Sequence, residues 1–354
     1  MNKHLPSLDG WRAISVLLVL LDHCKYTAGF PPGLARLFSD QFSVGALGVR
    51  FFFVISGFLI TWLLLQEHAQ SGRINLKNFY IRRALRIFPV CFLFLGVLAL
   101  LPAFHQTTSA WLSNFFYFTN YGDSSRATSH LWSLGVEEQF YLLWPAVLLI
   151  CLAAEKRVLE LLACSLVIAP IVRLLYCKGW YPAPLQLLFQ PYSFFAKFDS
   201  LGYGCVAACL FYYHRQHLER CFLPRPILIK WAAALLILLP GALWYAHVPA
   251  RLQALFFEPM QAIGFAILLL QSVLHPDQGF FRALNWRPIR HLGVLSYSVY
   301  IWQGMFCSSE YAFGVANAWW GRFPAWILVT LLAAHLSYYL MEKPLFQLRA
   351  RFRA

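Results

Sequence analysis

The chain has 354 residues, of which 60% are hydrophobic and only 12% charged, with a mean hydropathy of +0.57. Soluble domains carry about 25% charged residues, so a soluble globular fold is excluded and the recurring long apolar runs indicate a polytopic, all-α membrane protein. The net charge of +14 would point to nucleic acid in a soluble protein, but here a one-sided placement of Lys and Arg explains it, and no nucleic-acid partner is expected.

Ten spans are predicted near 10–28, 44–65, 87–104, 132–153, 158–177, 193–213, 227–246, 255–274, 293–313 and 322–341, in one bundle. With the N-terminus cytoplasmic, 20 of the 29 Lys and Arg residues fall on the inner side. The positive-inside rule therefore predicts a multi-pass protein of the inner membrane with both termini cytoplasmic.

The first span contains Arg12 and His23, with ten residues between them. Eleven helical steps of about 100° end roughly 20° past three full turns, so both side chains share a face, about 16 Å apart along the axis. The spacing predicts a fixed charge near one surface and an imidazole near mid-depth. Ionisable groups there usually face a bundle interior or a wet cavity; the plainer alternative is a snorkelling Arg and a packed, neutral His. Asp9 and Arg12 interrupt the start and no small-residue cleavage site follows, so this segment is expected to be retained.

The second span carries Ser56-Gly57, read as close helix packing. The inner loop 66–86 ends in Arg82, Arg83 and Arg86, with Pro89 at the membrane edge. Arg82 and Arg86 share a helix face. Clustered guanidinium groups suit phosphate, and they also serve as a topology signal beside anionic lipid. The outer segment 105–131 holds WLSNFFYFTNY, too short to span and expected to be interfacial or re-entrant.

The fourth span opens with His130 and carries the adjacent carboxylates Glu137 and Glu138, among Trp132, Tyr141 and Trp144. Two carboxylates at a membrane boundary are costly unless solvated or paired. They predict a wet outer vestibule, and the aromatic rings could face a sugar. Asp199, two residues after Lys197, is expected to pair with a cation or line a cavity. The ninth span has a polar stripe, Ser296-Tyr297-Ser298-Val299-Tyr300-Ile301-Trp302-Gln303, and Pro344 is expected to end the last helix. The nine Cys show no C-x-x-C spacing and are read mostly as apolar packing residues. No His pair has ligand spacing, so no metal site is predicted. The expected organisation is a transmembrane domain over 1–344 and a basic cytoplasmic tail over 345–354, with no appended domain after it.

Seven segments together resemble acyltransferase family 3, the membrane enzymes that O-acylate bacterial glycans: LDGWRAISVLLVLLDH, GVRFFFVISGFLI, FYIRRALRIFP, HLWSLGVEEQFYLLWP, FAKFDSLGYG, LGVLSYSVYIWQ and SYYLMEKP. They occur in the family's order from residue 8 to residue 344. Two positions depart from the pattern: Ala13 stands where Gly usually follows the Arg, and Gln303 where a His is common, so an acid–base role at 303 is doubtful.

The resemblance implies an enzyme that moves an acyl group from cytoplasmic acyl-CoA, most often acetyl-CoA, to a hydroxyl of an extracytoplasmic or lipid-linked glycan. Membrane lipids would surround it and no metal is involved. It places the donor phosphates at Arg82, Arg83 and Arg86, guidance of the pantetheine end at Arg12, and chemistry at His23 with Glu137 and Glu138 on the acceptor's path. His23, with an unperturbed pKa of about 6.5, could act as general base or as a transiently acylated relay. A transporter or flippase of a lipid-linked sugar is the alternative. It predicts paired broken helices in two related halves, and the sequence has no such symmetry.

Overall fold

The computed structural model describes residues 5–37, 43–101, 104–152, 155–308 and 318–349. The described residues form helices and no strand. Among the described residues, ten longer helices overlap the ten expected spans: α1 (Pro6–Cys24), α2 (Val44–Ser71), α3 (Leu76–Leu100), α4 (Trp132–Cys151), α5 (Glu155–Lys178), α6 (Phe194–Tyr213), α7 (Pro226–Tyr245), α8 (Ala250–Leu274), α9 (Arg287–Cys307) and α10 (Ala325–Ser337). The protein is an all-α, multi-pass membrane protein.

Among the described residues, eight segments are long and apolar enough to cross a membrane; α1 and α9 fall short of that mark. α1 holds Asp9, Arg12 and Asp22, and α9 holds Arg287, Arg290 and the polar stripe. Polar groups needed in the interior lower the hydropathy of these two helices. By contrast, α7 is strongly apolar, yet only 22% of its spanning window is buried. The remainder is the surface that lipid covers.

Local chemistry sets the helix starts. The Asn75 side chain accepts from the Asn78 N–H at the head of α3, and Ser193 does the same for Ala196 at α6. Pro226 opens α7 where its missing N–H costs nothing. α3 begins earlier than expected. Arg82, Arg83 and Arg86 lie within it rather than before it. Pro344 does not end the last helix. A π-helical turn over Tyr338–Glu342 lets the Lys343 N–H reach the Tyr338 carbonyl, and a new helix, Lys343–Arg349, carries Pro344 at its second position. Lys3, Arg351 and Arg353 of the predicted inner charge set, the segment 309–313 of the ninth span and residues 350–354 of the tail lie outside the described residues.

The chain divides into two compact units. The first comprises residues 1–15, 46–74 and 139–293, the second 16–45, 75–138 and 294–354. In the first, α7 packs along α8, and α5, α6 and α8 pack on one another. A Cβ on Gly57 would overlap the Leu201 carbonyl, so the predicted close packing at Ser56-Gly57 is the crossing of α2 with α6. Asp199 pairs with Arg173 at 2.7 Å, while Lys197 pairs with Glu258 at 2.5 Å. Arg50 and Arg173 also reach Glu258, at 3.4 and 3.3 Å. These buried charges satisfy one another, as charges must in an apolar interior. The Trp144 indole N–H donates to Thr61 Oγ1 at 2.8 Å, and Tyr141 and Trp144 are 5% and 7% exposed. These two rings are core, closed to the sugar contact that their sequence position invited.

In the second unit, the short helix Thr108–Phe115 folds back on α3. Phe115 stacks on Phe92 at 4.8 Å and Tyr117 packs on Phe88 at 5.5 Å. All nine cysteines are free, and Cys164, Cys177 and Cys221 are exposed rather than packed.

Candidate active site

The second unit holds a cavity of about 320 Å³ lined by His23, Tyr26, Arg126, Ser129, His130, Gly304, Cys307 and Ser308. A water molecule takes about 30 Å³ of liquid. The space therefore admits an acyl group with part of an alcohol.

His23 reaches this cavity because α1 ends at Cys24. The imidazole lies in the last turn of a helix that ends four residues before the end of the predicted span at 28. Its Nδ1 is 2.7 Å from Gln303 Oε1. An amide oxygen accepts, so Nδ1 carries the proton and Nε2 keeps the lone pair. Gln303 thus fixes the tautomer without titrating, which gives the departure from the family pattern a physical role. The neighbouring carboxylate does not do this. Asp22 is engaged by Lys25 at 3.2 Å and by Ser43 at 3.3 Å.

The polar stripe of α9 ties the surrounding helices together. Tyr297 donates to the Ile87 carbonyl of α3 at 2.6 Å, and Ser298 donates to Glu342. Tyr300 donates to the His130 carbonyl at 2.8 Å and is 2.6 Å from Ser133 Oγ. Trp302 meets Phe94 edge-on at 5.7 Å. These residues hold α3, the start of α4 and α9 around the cavity. The stripe was visible in the sequence; its partners, all far along the chain, were not.

His130 is the residue that sequence reasoning did not assign. Its Nε2 lies 3.1 Å from the Ile301 carbonyl, and its ring meets Phe94 and Tyr300 edge-on. Gly304 makes room for it: a Cβ there would overlap the His130 ring and the Ala127 carbonyl. Arg126 and Tyr26, both exposed, stand at the cavity's edge with the guanidinium 5.9 Å from the ring centre.

The other predicted site residues divide between the units. Arg82, Arg83, Arg86, Glu137 and Glu138 are half-buried in the second unit with His23; Arg12, also half-buried, belongs to the first. Glu138 lies within electrostatic reach of Glu137 and Arg83, and its Oε1 is buried without a hydrogen-bond partner. The two carboxylates lie within α4, two turns beyond His130. Neither is among the residues that line the cavity. Among the described residues no three His, Cys, Asp or Glu side chains gather as a metal would need.

A family model described as an acyltransferase domain matches residues 5–342. The chain belongs to acyltransferase family 3. It is 27% identical to peptidoglycan O-acetyltransferase OatA of Listeria monocytogenes over 370 residues, covering 97% of this chain and 56% of that protein. It is 28% identical to O-acetyltransferase OatA of Staphylococcus aureus over 381 residues, covering 97% and 57%. The chain thus spans a little over half the length of these curated relatives. No solved structure matches it.

Proposed function

We propose that the protein is an inner-membrane O-acyltransferase, with both termini cytoplasmic, that moves an acetyl group from cytoplasmic acetyl-CoA to a hydroxyl of an extracytoplasmic or lipid-linked glycan. The observation that carries this reading is His23, held by Gln303 with its second nitrogen free, at a cavity sized for an acyl group. Membership of the family and the relatives' names support it. The acceptor hydroxyl gives its proton to His23 Nε2 as its oxygen attacks the thioester carbon. The C–O bond forms, the C–S bond breaks, and the departing thiolate takes the proton from the imidazolium. In the relay variant the acyl group rests on His23 between two such steps.

Arg126 is the one Arg or Lys on the cavity's lining, so the phosphates of CoA are assigned to the arginine cluster instead. Arg82, Arg83 and Arg86 stand on α3, and Phe94, beside His130, lies eight residues past Arg86. That is about 12 Å of helix, a distance a pantetheine arm spans. Replacing each Arg by Gln is expected to raise the donor KM about tenfold and change kcat less, because a phosphate contact binds ground and transition states alike. Steady-state kinetics with varied acetyl-CoA checks this; a kcat collapse at constant donor KM would place these residues elsewhere.

Arg12 would guide the pantetheine-linked end. Arg12→Lys keeps the charge and loses the planar fork. Transfer is expected to fall at least tenfold, and full activity in the Lys variant would reduce Arg12 to an anchor. The reaction itself is tested by incubating purified protein with radiolabelled acetyl-CoA and cell-envelope glycan. Covalent label on the glycan is the expected result. Glycan flux without labelling would overturn the reading in favour of transport.

A further inference from the structure

We propose that Arg126 forms an anion subsite for the acceptor: its guanidinium receives a carboxylate or phosphate group of the glycan while a nearby hydroxyl of the same glycan reaches His23. The inference rests on the acyltransferase reading and adds to it the charge of the acceptor, an acidic rather than a neutral glycan.

The cavity's lining carries one permanent charge, and it is positive. Arg126 stands there with His23, and no Asp or Glu is among the lining residues. The guanidinium lies within electrostatic reach of both His23 and Cys307. An anion held by it is therefore close to the imidazole that takes the hydroxyl proton. Lys25 also meets the Tyr26 ring, at 4.9 Å, but its charge is answered by Asp22 at 3.2 Å. The contact of Arg126 with that ring, at 5.9 Å, draws on the charge rather than on the N–H groups. Those N–H groups form the fork that matches a carboxylate or a phosphate.

The side chain is open to solvent, so a ligand reaches it directly, while its backbone is pinned. The Ser125 N–H donates to Thr128 Oγ1 at 3.2 Å, the Thr128 N–H to the Ser125 carbonyl at 3.0 Å, and Ser129 Oγ to the Arg126 carbonyl at 3.1 Å. Ala127 and Thr128 are fully buried, and the Ala127 carbonyl packs against Gly304 of α9. Exposure also separates two roles. A group that stabilises the transition-state oxyanion works from a preorganised position closed to water. A solvent-open guanidinium on a fixed backbone suits a permanent anion that stays at the cavity's edge. The donor brings its thioester to the cavity and its phosphates to Arg82, Arg83 and Arg86, so the anion that meets Arg126 comes with the acceptor.

The test uses the purified full chain, labelled acetyl-CoA and four acceptors: the methyl glycoside of N-acetylglucosamine, its carboxymethyl ether, the methylamide of that ether, and its phosphate monoester. The substituted sugars are made at O3 and, separately, at O4, so one series always keeps the acylated hydroxyl. The methylamide matches the ether in size and lacks the charge. In the parent, kcat/KM for the better of the two anions is expected to exceed that for the methylamide about fivefold, the upper range for an exposed ion pair. Which anion is better, carboxylate or phosphate, names the source. Salt at about 0.5 M lowers the preference toward one, because an exposed charge pair is screened. Arg126→Gln, checked by its melting temperature in detergent, is expected to lose the preference by slowing transfer to the anionic sugars. Arg126→Lys has the charge without the fork and keeps a reduced preference. The proposal is overturned if the parent acylates the methylamide as fast as both anions. It is also overturned if Arg126→Gln keeps the parent's preference, including the case of an equal fall for all four sugars, which would assign Arg126 to the reaction's own oxyanion. If the parent binds acetyl-CoA and acylates none of the sugars, the acyltransferase reading falls, and this proposal with it.

Discussion

His23→Ala protein is expected to insert and fold like the parent and to transfer acetyl groups about a hundred- to ten-thousand-fold more slowly, the range that a positioned general base contributes. The substitution removes one ring at the edge of an existing cavity and leaves Gln303, itself fully buried, as the group that loses its partner. The stability cost is that of one buried hydrogen bond, about 1 kcal/mol, too small to account for such a loss of rate. The measurement is initial velocity on purified protein, with circular dichroism as the control for folding. A rate within threefold of the parent would remove His23 from the chemistry. The same pair of proteins distinguishes base from relay. Incubated with labelled acetyl-CoA and no acceptor, the parent retains covalent label only if His23 is acylated, and the Ala variant retains none.

The helices were legible in the sequence because their signal is local: long apolar runs, caps such as Asn75 and Ser193, and a Pro at the start of α7. The boundaries were less so. α3 absorbs the arginine cluster because Lys and Arg are good helix formers whose stems tolerate an apolar edge. Pro344 passes because the π-helical turn before it relieves its missing N–H. The motif residues His23, Arg83 and Glu138 were all visible, yet what each does depends on residues far away. Gln303 is 280 positions from His23, and Ile301 is 171 from His130. Spacing along one helix places side chains on a face; it does not name what that face meets. Hence Gln303 was legible as a departure and not as the residue that holds His23. Hence also the charge of Arg83, 55 positions earlier on another helix, was not legible as part of the electrostatic surroundings of Glu138.

That neighbourhood changes the expectation for the carboxylates. Glu138→Gln is expected to raise the donor KM about tenfold while leaving acceptor KM unchanged, the signature assigned above to Arg83→Gln. Glu138 lies within electrostatic reach of Arg83 and has one buried oxygen without a partner. A buried carboxylate of this kind is retained at a cost, and the cost is offset if its charge holds a guanidinium in the orientation that receives phosphate. Gln is nearly isosteric and cannot ionise, so packing survives and only the ionisable carboxyl is removed. If the two residues act as one unit, the double variant should be no worse than the worse single variant. A coupling energy of about 1.4 kcal/mol then corresponds to the shared tenfold. Independent roles would instead multiply to about a hundredfold. The cycle needs four proteins and two titrations, one of acetyl-CoA and one of the methyl glycoside. A rise in acceptor KM with donor KM constant would restore the carboxylates to the acceptor's path. Additive losses in donor KM would leave both residues on the donor side but acting separately. Parent-like kinetics in Glu138→Gln, Glu137→Gln and the doubly substituted protein would take the carboxylates out of the reaction altogether, and the buried oxygen of Glu138 would then be a feature of packing between α3 and α4.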